Sequence, residues 1–178
     1  MIITISGMPG SGKTTVGKML AKRLGWKFYS VGDLRGKVAS EMGITIDELN
    51  EIGKKEFWTD QKADELTKKL GEAEDDFVID GRLAFRFIPH SFKVFLSADL
   101  KKSALRIFRD QRGDEKKAGS EKEVLDSIRK RLDEDDGRYK RYYGIDFLNK
   151  KNYDLVIDTT EMRPEEVASA ILKAMKKK

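Results

Sequence analysis

Cysteine is absent from all 178 residues. That removes disulfides, zinc–thiolate sites and thiol nucleophiles together. The only histidine, His90, follows Pro89 in an expected loop and reads as a surface residue, since nothing near it in sequence offers a proton partner. No apolar run approaches the about 20 residues that a membrane span requires. MIITIS turns straight into Gly7 and Pro9, without the basic leader and cleavage pattern of an export signal. Repeats, low-complexity linkers and breaks in composition are missing as well. These absences point to one compact domain over residues 1–178, cytoplasmic, with no membrane partner.

What the chain does have is charge, at 38% of residues and a formal net of +5. A basic balance attracts nucleic acid, but a site that holds several phosphates needs local positive charge too. Net charge does not choose between the two. The terminal Lys176, Lys177 and Lys178 read as a solvated, frayed tail.

Strand and helix patterns alternate along the chain. Ile2, Ile3 and Ile5 mark a buried strand, and after a glycine-rich break Val16, Leu20 and Leu24 recur at helical spacing up to Gly25. Residues 27–30 predict a second strand, followed by a helical stretch to about Met42. Thr45 with Glu48 has the form of a capping box, opening a helix that runs with breaks near Gly53 to about Leu70. Residues 77–79, 93–96 and 153–157 predict three more strands. Helices are expected at 100–108, through Val124, Ile128 and Leu132, and from Pro164 through Val167 and Ile171. The alternation implies an α/β fold with a five-stranded parallel sheet covered on both faces. The polar stretches 36–70 and 110–140 read as mobile excursions from that core.

Gly7-Met8-Pro9-Gly10-Ser11-Gly12-Lys13-Thr14 matches G-x-x-x-x-G-K-[ST] in full, with a buried strand before it and an amphipathic helix after. The glycines let backbone N–H groups close around an anion, and the following helix adds its positive end. Lys13 supplies a full charge to the β- and γ-phosphates of ATP. The Thr14 hydroxyl is placed for Mg²⁺, and Thr15 for the α-phosphate.

Many phosphate-loop proteins only hydrolyse nucleotide, so the acceptor side needs its own residues. Ser30-Val31-Gly32-Asp33-Leu34-Arg35 follows the second strand, and Asp80-Gly81-Arg82 the third. Ligands in open α/β sheets sit beyond the carboxyl ends of the strands, so both arginines reach the mouth of one site, each able to grip a phosphate with two N–H bonds. Asp80 can hold the metal through water. Arg106, Arg109, Arg112, Arg131, Arg138 and Arg141 suit either a basic flap that closes over the transferring phosphoryl group and excludes water, or a charged solvent face. The two tryptophans and Tyr139, Tyr142 and Tyr143 read as packing groups rather than base-stacking ones.

GMPGSGKTT, SVGDLR, IDGRLA, RLDEDDGRYKRYYGID and YDLVIDTT together resemble the nucleoside monophosphate kinases of the P-loop NTPase superfamily, and most closely the archaeal-type cytidylate kinases. The resemblance spans nearly the whole chain. It implies a three-layer fold with an acceptor-binding segment at about 31–70 and a lid at about 110–120. It implies transfer of the ATP γ-phosphate to CMP or dCMP by a monomer, with ATP and Mg²⁺ as cofactors and no nucleic acid as partner. Arg35 then holds the acceptor phosphate, Ser30 and Asp33 lie near the nucleoside, and Arg82 contacts the acceptor. Arg131, Asp135 and Arg138 read the pyrimidine and its phosphate. Arg106 and Arg109 face the ATP phosphates and join Lys13 as the catalytic set, while Asp158 and Thr159 pass the adenine. No general base is required, because the acceptor is already an ionised phosphate. Phe85 and Phe87 after DGRLA, and the extended polar lid, depart from the family pattern at the acceptor side. AMP, UMP or another small acceptor stays open there, and a nucleotide-dependent RNA-associated protein is the reading outside enzymes.

Overall fold

The computed structural model describes residues 1–53, 55–110 and 118–176. Five strands, β1 (Ile2–Gly7), β2 (Lys27–Ser30), β3 (Phe77–Asp80), β4 (Phe92–Ser97) and β5 (Leu155–Asp158), form one sheet in the order β2-β3-β1-β4-β5. Every pairing is parallel. The helices are α1 (Lys13–Leu24), α2 (Val31–Glu41), α3 (Ile46–Gly53), α4 (Trp58–Ala73), α5 (Ala84–Phe87), α6 (Leu100–Arg109), α7 (Glu121–Tyr143) and α8 (Pro164–Met175). Among the described residues no helix is long and apolar enough to cross a membrane.

Alternation along the strands sorts their side chains into two layers. Ile3, Ile5, Val78, Val94 and Leu96 meet Val16, Leu20 and Ala21 of α1 and Val167, Ala168 and Ile171 of α8. Phe95 points the other way, into a cluster with Ala104 of α6 and Val124, Ile128 and Leu132 of α7. Ile2, Phe77 and Ile79 share that second face with Ala84 and Ile88. β1 has helices over both faces, and all six of its residues are buried.

Local signals end the helices where the sequence places them. Gly25 adopts the left-handed conformation at the end of α1, and the Ser120 hydroxyl accepts from Glu123 N–H at the start of α7. Pro164 opens α8. The expected capping box is present: Thr45 N–H donates to Glu48 Oε2 at 2.7 Å, and Glu48 N–H donates to Thr45 Oγ1 at 3.2 Å.

Two features differ from the sequence reading. The four-residue α5 was not expected; it lacks a side-chain cap and forms by burying Ala84 and Phe85. Residues 121–140 are no excursion but most of α7, whose apolar stripe is part of the second core. Their polar composition reflects the helix's outer faces. The expected lid at 110–120 lies almost entirely outside the described residues, and Arg112 with it.

Thr45→Ala is expected to lower the unfolding free energy by about 1 kcal/mol, measured by urea denaturation. An unchanged midpoint would show that the capping box does not hold α3.

Candidate active site

β1 delivers its last residue into a tight passage. Gly7 has φ 145°, and a Cβ there would stand 2.1 Å from the Leu96 carbonyl oxygen of β4. Any side chain would push the loop off the sheet. Met8 N–H then donates to Leu96 O at 3.0 Å, and Ser11 Oγ donates to Met8 O at 2.8 Å, closing the loop on itself. α1 starts with glycine at its N-cap and without a side-chain cap bond, which leaves its first amides to an anion. Lys13 Nζ donates to Met8 O at 2.7 Å, across the mouth of the loop.

The Thr14 hydroxyl donates to Asp80 Oδ2 at the end of β3, where Asp80 is 5% exposed. Register explains the meeting: Ile5 of β1 pairs with Asp80, so β3 ends beside the stretch of β1 that leads through Gly7 into the loop. A hydroxyl and a carboxylate are hard oxygen donors that fit Mg²⁺. No group of three or more His, Cys, Asp or Glu that could hold a metal exists among the described residues.

Arg106 ties the loop to the far strand. Its Nη2 donates to the carbonyls of Thr159 at 2.7 Å and Thr160 at 2.8 Å, and its Nη1 to Gly10 O at 3.4 Å. Thr159 is buried, its one hydroxyl proton shared between the carbonyls of Ser11 at 3.1 Å and Ser97 at 3.0 Å. Asp158 is exposed and accepts from Thr160 N–H at 2.9 Å; these Thr160 bonds hold its carboxyl below the usual range.

On the far side of the cleft the arginines alternate with carboxylates in a row. Arg35 of α2 donates to Asp60 Oδ1, and to Asn50 Oδ1 of α3 at 3.1 Å. Arg138 of α7 brings Nε within 2.9 Å of Asp60 Oδ2, an ion-pair contact out of line for a hydrogen bond, and donates from Nη2 to Asp135 Oδ1 at 2.8 Å. Asp135 Oδ2 in turn pairs with Arg82 Nη1. Asp60 and Asp135 are buried, and three guanidinium groups against two carboxylates leave one positive charge in excess. Burial lowers Arg82 to about 10, which leaves it cationic at neutral pH. Its guanidinium also lies over the Phe147 ring at 5.8 Å.

One cleft of about 1790 Å³ joins the phosphate loop to this row. A pocket for a single small ligand spans roughly 300–1,000 Å³, so the cleft has room for two. Of the residues singled out in the sequence, Pro9 to Thr15, Ser30, Asp33, Arg35, Asp80, Arg82, Arg106, Arg131, Asp135, Arg138 and Thr159 line it. Gly7 and Met8 shape the loop from beneath. Arg109 is exposed and, like Asp158, does not line the cleft. His90 is exposed, as expected.

Sequence reasoning missed Asn50, Asp60 and Asp64, and took Tyr143 for packing alone. The Tyr143 hydroxyl donates to Asp64 Oδ2 within the cleft. Burial pushes the Asp64 carboxyl up to about 7; the Tyr143 bond pulls it down and the Asp60 charge raises it further. Burial also raises the Tyr143 hydroxyl, with the Asp64 bond acting the same way. The four-residue spacing of Asp60 and Asp64 was a readable sign that both share one helix face. Nothing local says that this face meets α7.

The model of the cytidylate kinase-like family matches residues 2–161. A cytidylate kinase of Methanocella arvoryzae is 35% identical over 98% of this chain and 97% of its own. An S-adenosylmethionine-dependent nucleotide dehydratase of Lacinutrix mariniflava is 38% identical over 98% of this chain, which spans 36% of that relative's length. A solved shikimate kinase from Aquifex aeolicus superposes with TM-score 0.63 at 26% identity, covering 99% of this chain and 96% of its own.

Asp60→Asn removes the charge that two guanidinium groups share. Breaking a buried pair by removing one partner costs about 3–5 kcal/mol, so the urea midpoint should fall steeply. A loss below about 1 kcal/mol, the range of exposed pairs, would show that these contacts are solvated.

Proposed function

The chain belongs to the cytidylate kinase-like family, and from that premise we propose that it transfers the γ-phosphate of ATP to CMP or dCMP, giving ADP and the diphosphate. The observation that carries the reading is one continuous cleft with an anion-binding loop at one end and a row of half-buried guanidinium groups at the other. Such a cleft suits two phosphorylated ligands with their reacting phosphates between them. The cytidine preference rests on the relatives and on Arg131, Asp135 and Arg138, which return at helical spacing on α7.

The loop amides and the first turn of α1 orient the polyphosphate, and Lys13 exchanges its bond to Met8 O for the phosphate oxygens. Thr14, with Asp80 through water, would hold Mg²⁺, which neutralises charge on the β- and γ-oxygens when bound. Arg35 and Arg82 grip the acceptor phosphate, with Arg138 beside them. Arg106, anchored on backbone carbonyls, stays fixed while charge spreads over the transferring group. Ser30 and Asp33 face the nucleoside and Thr159 the adenine, while Asp158, exposed and outside the cleft lining, meets the adenine only by turning in. Arg109 reaches phosphate only by turning in from the surface. An attacking phosphate is already ionised, so positioning and electrostatics suffice.

ATP consumption measured across CMP, dCMP, UMP, AMP and shikimate tests the assignment. Turnover confined to AMP or shikimate overturns the cytidine reading. RNA binding that weakens with salt, with no phosphoryl transfer to any acceptor, overturns the enzyme.

Lys13→Ala should lower kcat by about 10²-fold or more, because its charge counts most in the transition state. Unchanged turnover would remove Lys13 from the chemistry. Arg35→Ala should raise the acceptor KM about 10- to 100-fold with little change in the ATP KM. Equal loss for ATP would place Arg35 elsewhere.

A further inference from the structure

Asp64 stands apart from the row of paired charges. α4 leads through Ala73 to Phe77, which pairs with Ile2 at the amino end of the strands, the end opposite the phosphate loop. Four residues on from Asp60, Asp64 therefore lies about 6 Å further from the strand ends. Arg35, Arg82 and Asp64 line the same cleft, so an acceptor held by its phosphate at the two arginines has room to extend toward Asp64. There the cleft wall carries Phe87, Tyr139 and Tyr143, flat apolar surfaces suited to a ring. Tyr143 is itself held by Phe57, Phe87 and Tyr139, with ring centroids at 5.4, 5.8 and 6.2 Å. Its hydroxyl fixes Asp64 Oδ2. Among the described residues Asp64 Oδ1 has no hydrogen-bond or ion-pair partner, while Arg35 and Arg138 are committed to Asp60 and Asp135. A held, half-buried carboxylate oxygen lining a cleft is an acceptor waiting for a donor.

Resting on the function proposed above, we propose that Asp64 selects the acceptor's base, accepting a hydrogen bond from the exocyclic amino group of cytosine. Uracil presents a carbonyl oxygen at that position, so two acceptors would face each other and the base is turned away. The desolvated carboxylate, with an ordinary affinity for protons raised by burial, is stabilised when the amino group arrives.

Asp64→Asn keeps the shape and supplies an N–H that suits uracil. With saturating Mg·ATP, the ratio of kcat/KM for CMP to that for UMP should fall at least about tenfold, through weaker use of CMP and stronger use of UMP. A ratio within about twofold of wild type in a folded variant overturns the inference. If the variant does not fold, the wild-type ratio against pH decides. It should fall between about pH 8 and about pH 6 as Asp64 gains a proton, because a neutral carboxyl can donate to uracil. The groups that act on this titration are Asp60 on α4, Arg35 on α2, and Arg138 and Tyr143 on α7, while α5 contributes the uncharged Phe87. The acceptor phosphate titrates near about 6 for both substrates and cancels in the ratio. A flat profile overturns the inference. Equal wild-type use of CMP and UMP defeats the inference alone. No phosphorylation of either defeats the function and the inference with it.

Discussion

Asp60 and Asp135 are buried carboxylates, and each would be strongly destabilising without a cation beside it. Arg35, Arg138 and Arg82 meet that need from α2, α7 and the turn after β3. The requirement is mutual, since a guanidinium at comparable depth needs its own acceptors. Four parts of the chain are thereby held in one arrangement, which apolar packing alone would fix less strictly, because apolar contacts are non-directional. The forks of the three arginines point in set directions before any ligand arrives. Ordering them is then no part of the cost of binding.

The other end of the cleft is organised by backbone rather than by side chains. Gly7 passes within a missing Cβ of the Leu96 carbonyl, and Met8 N–H bonds that same oxygen. Arg106 fastens the loop to the residues after β5. Because β1 lies between β3 and β4, the loop at its end has Asp80 on one side and Leu96 on the other. The sheet order therefore places the metal-suited Thr14–Asp80 contact beside the loop, and carries Arg82, two residues past Asp80, toward the row of paired charges. Belonging to the cytidylate kinase-like family agrees with this layout.

Much of this was readable where one segment carries its own information. The run of β-branched residues before the glycines, the Thr45–Glu48 box, Gly25 and Pro164 act within a few residues of themselves, and each element begins or ends as they indicate. The reading failed where a neighbour decides. The helix through Val124, Ile128 and Leu132 is legible from its spacing, but not that this stripe packs into the cluster around Phe95, which makes residues 121–140 part of the core and no excursion. Tyr143 was counted as packing, and it does pack, but its hydroxyl also reaches a carboxylate on α4.

The order of residues by itself determined the phosphate loop, the five parallel strands and the two arginines at strand ends, since these follow from local backbone conformation and periodicity. Only the tertiary structure decided that Asp60 bridges Arg35 and Arg138, that Asp135 takes Arg82, and that Asp64 turns toward the cleft. Those pairings join residues far apart in the chain. Their partners depend on which helix faces meet, and that is set by filling the space around the sheet.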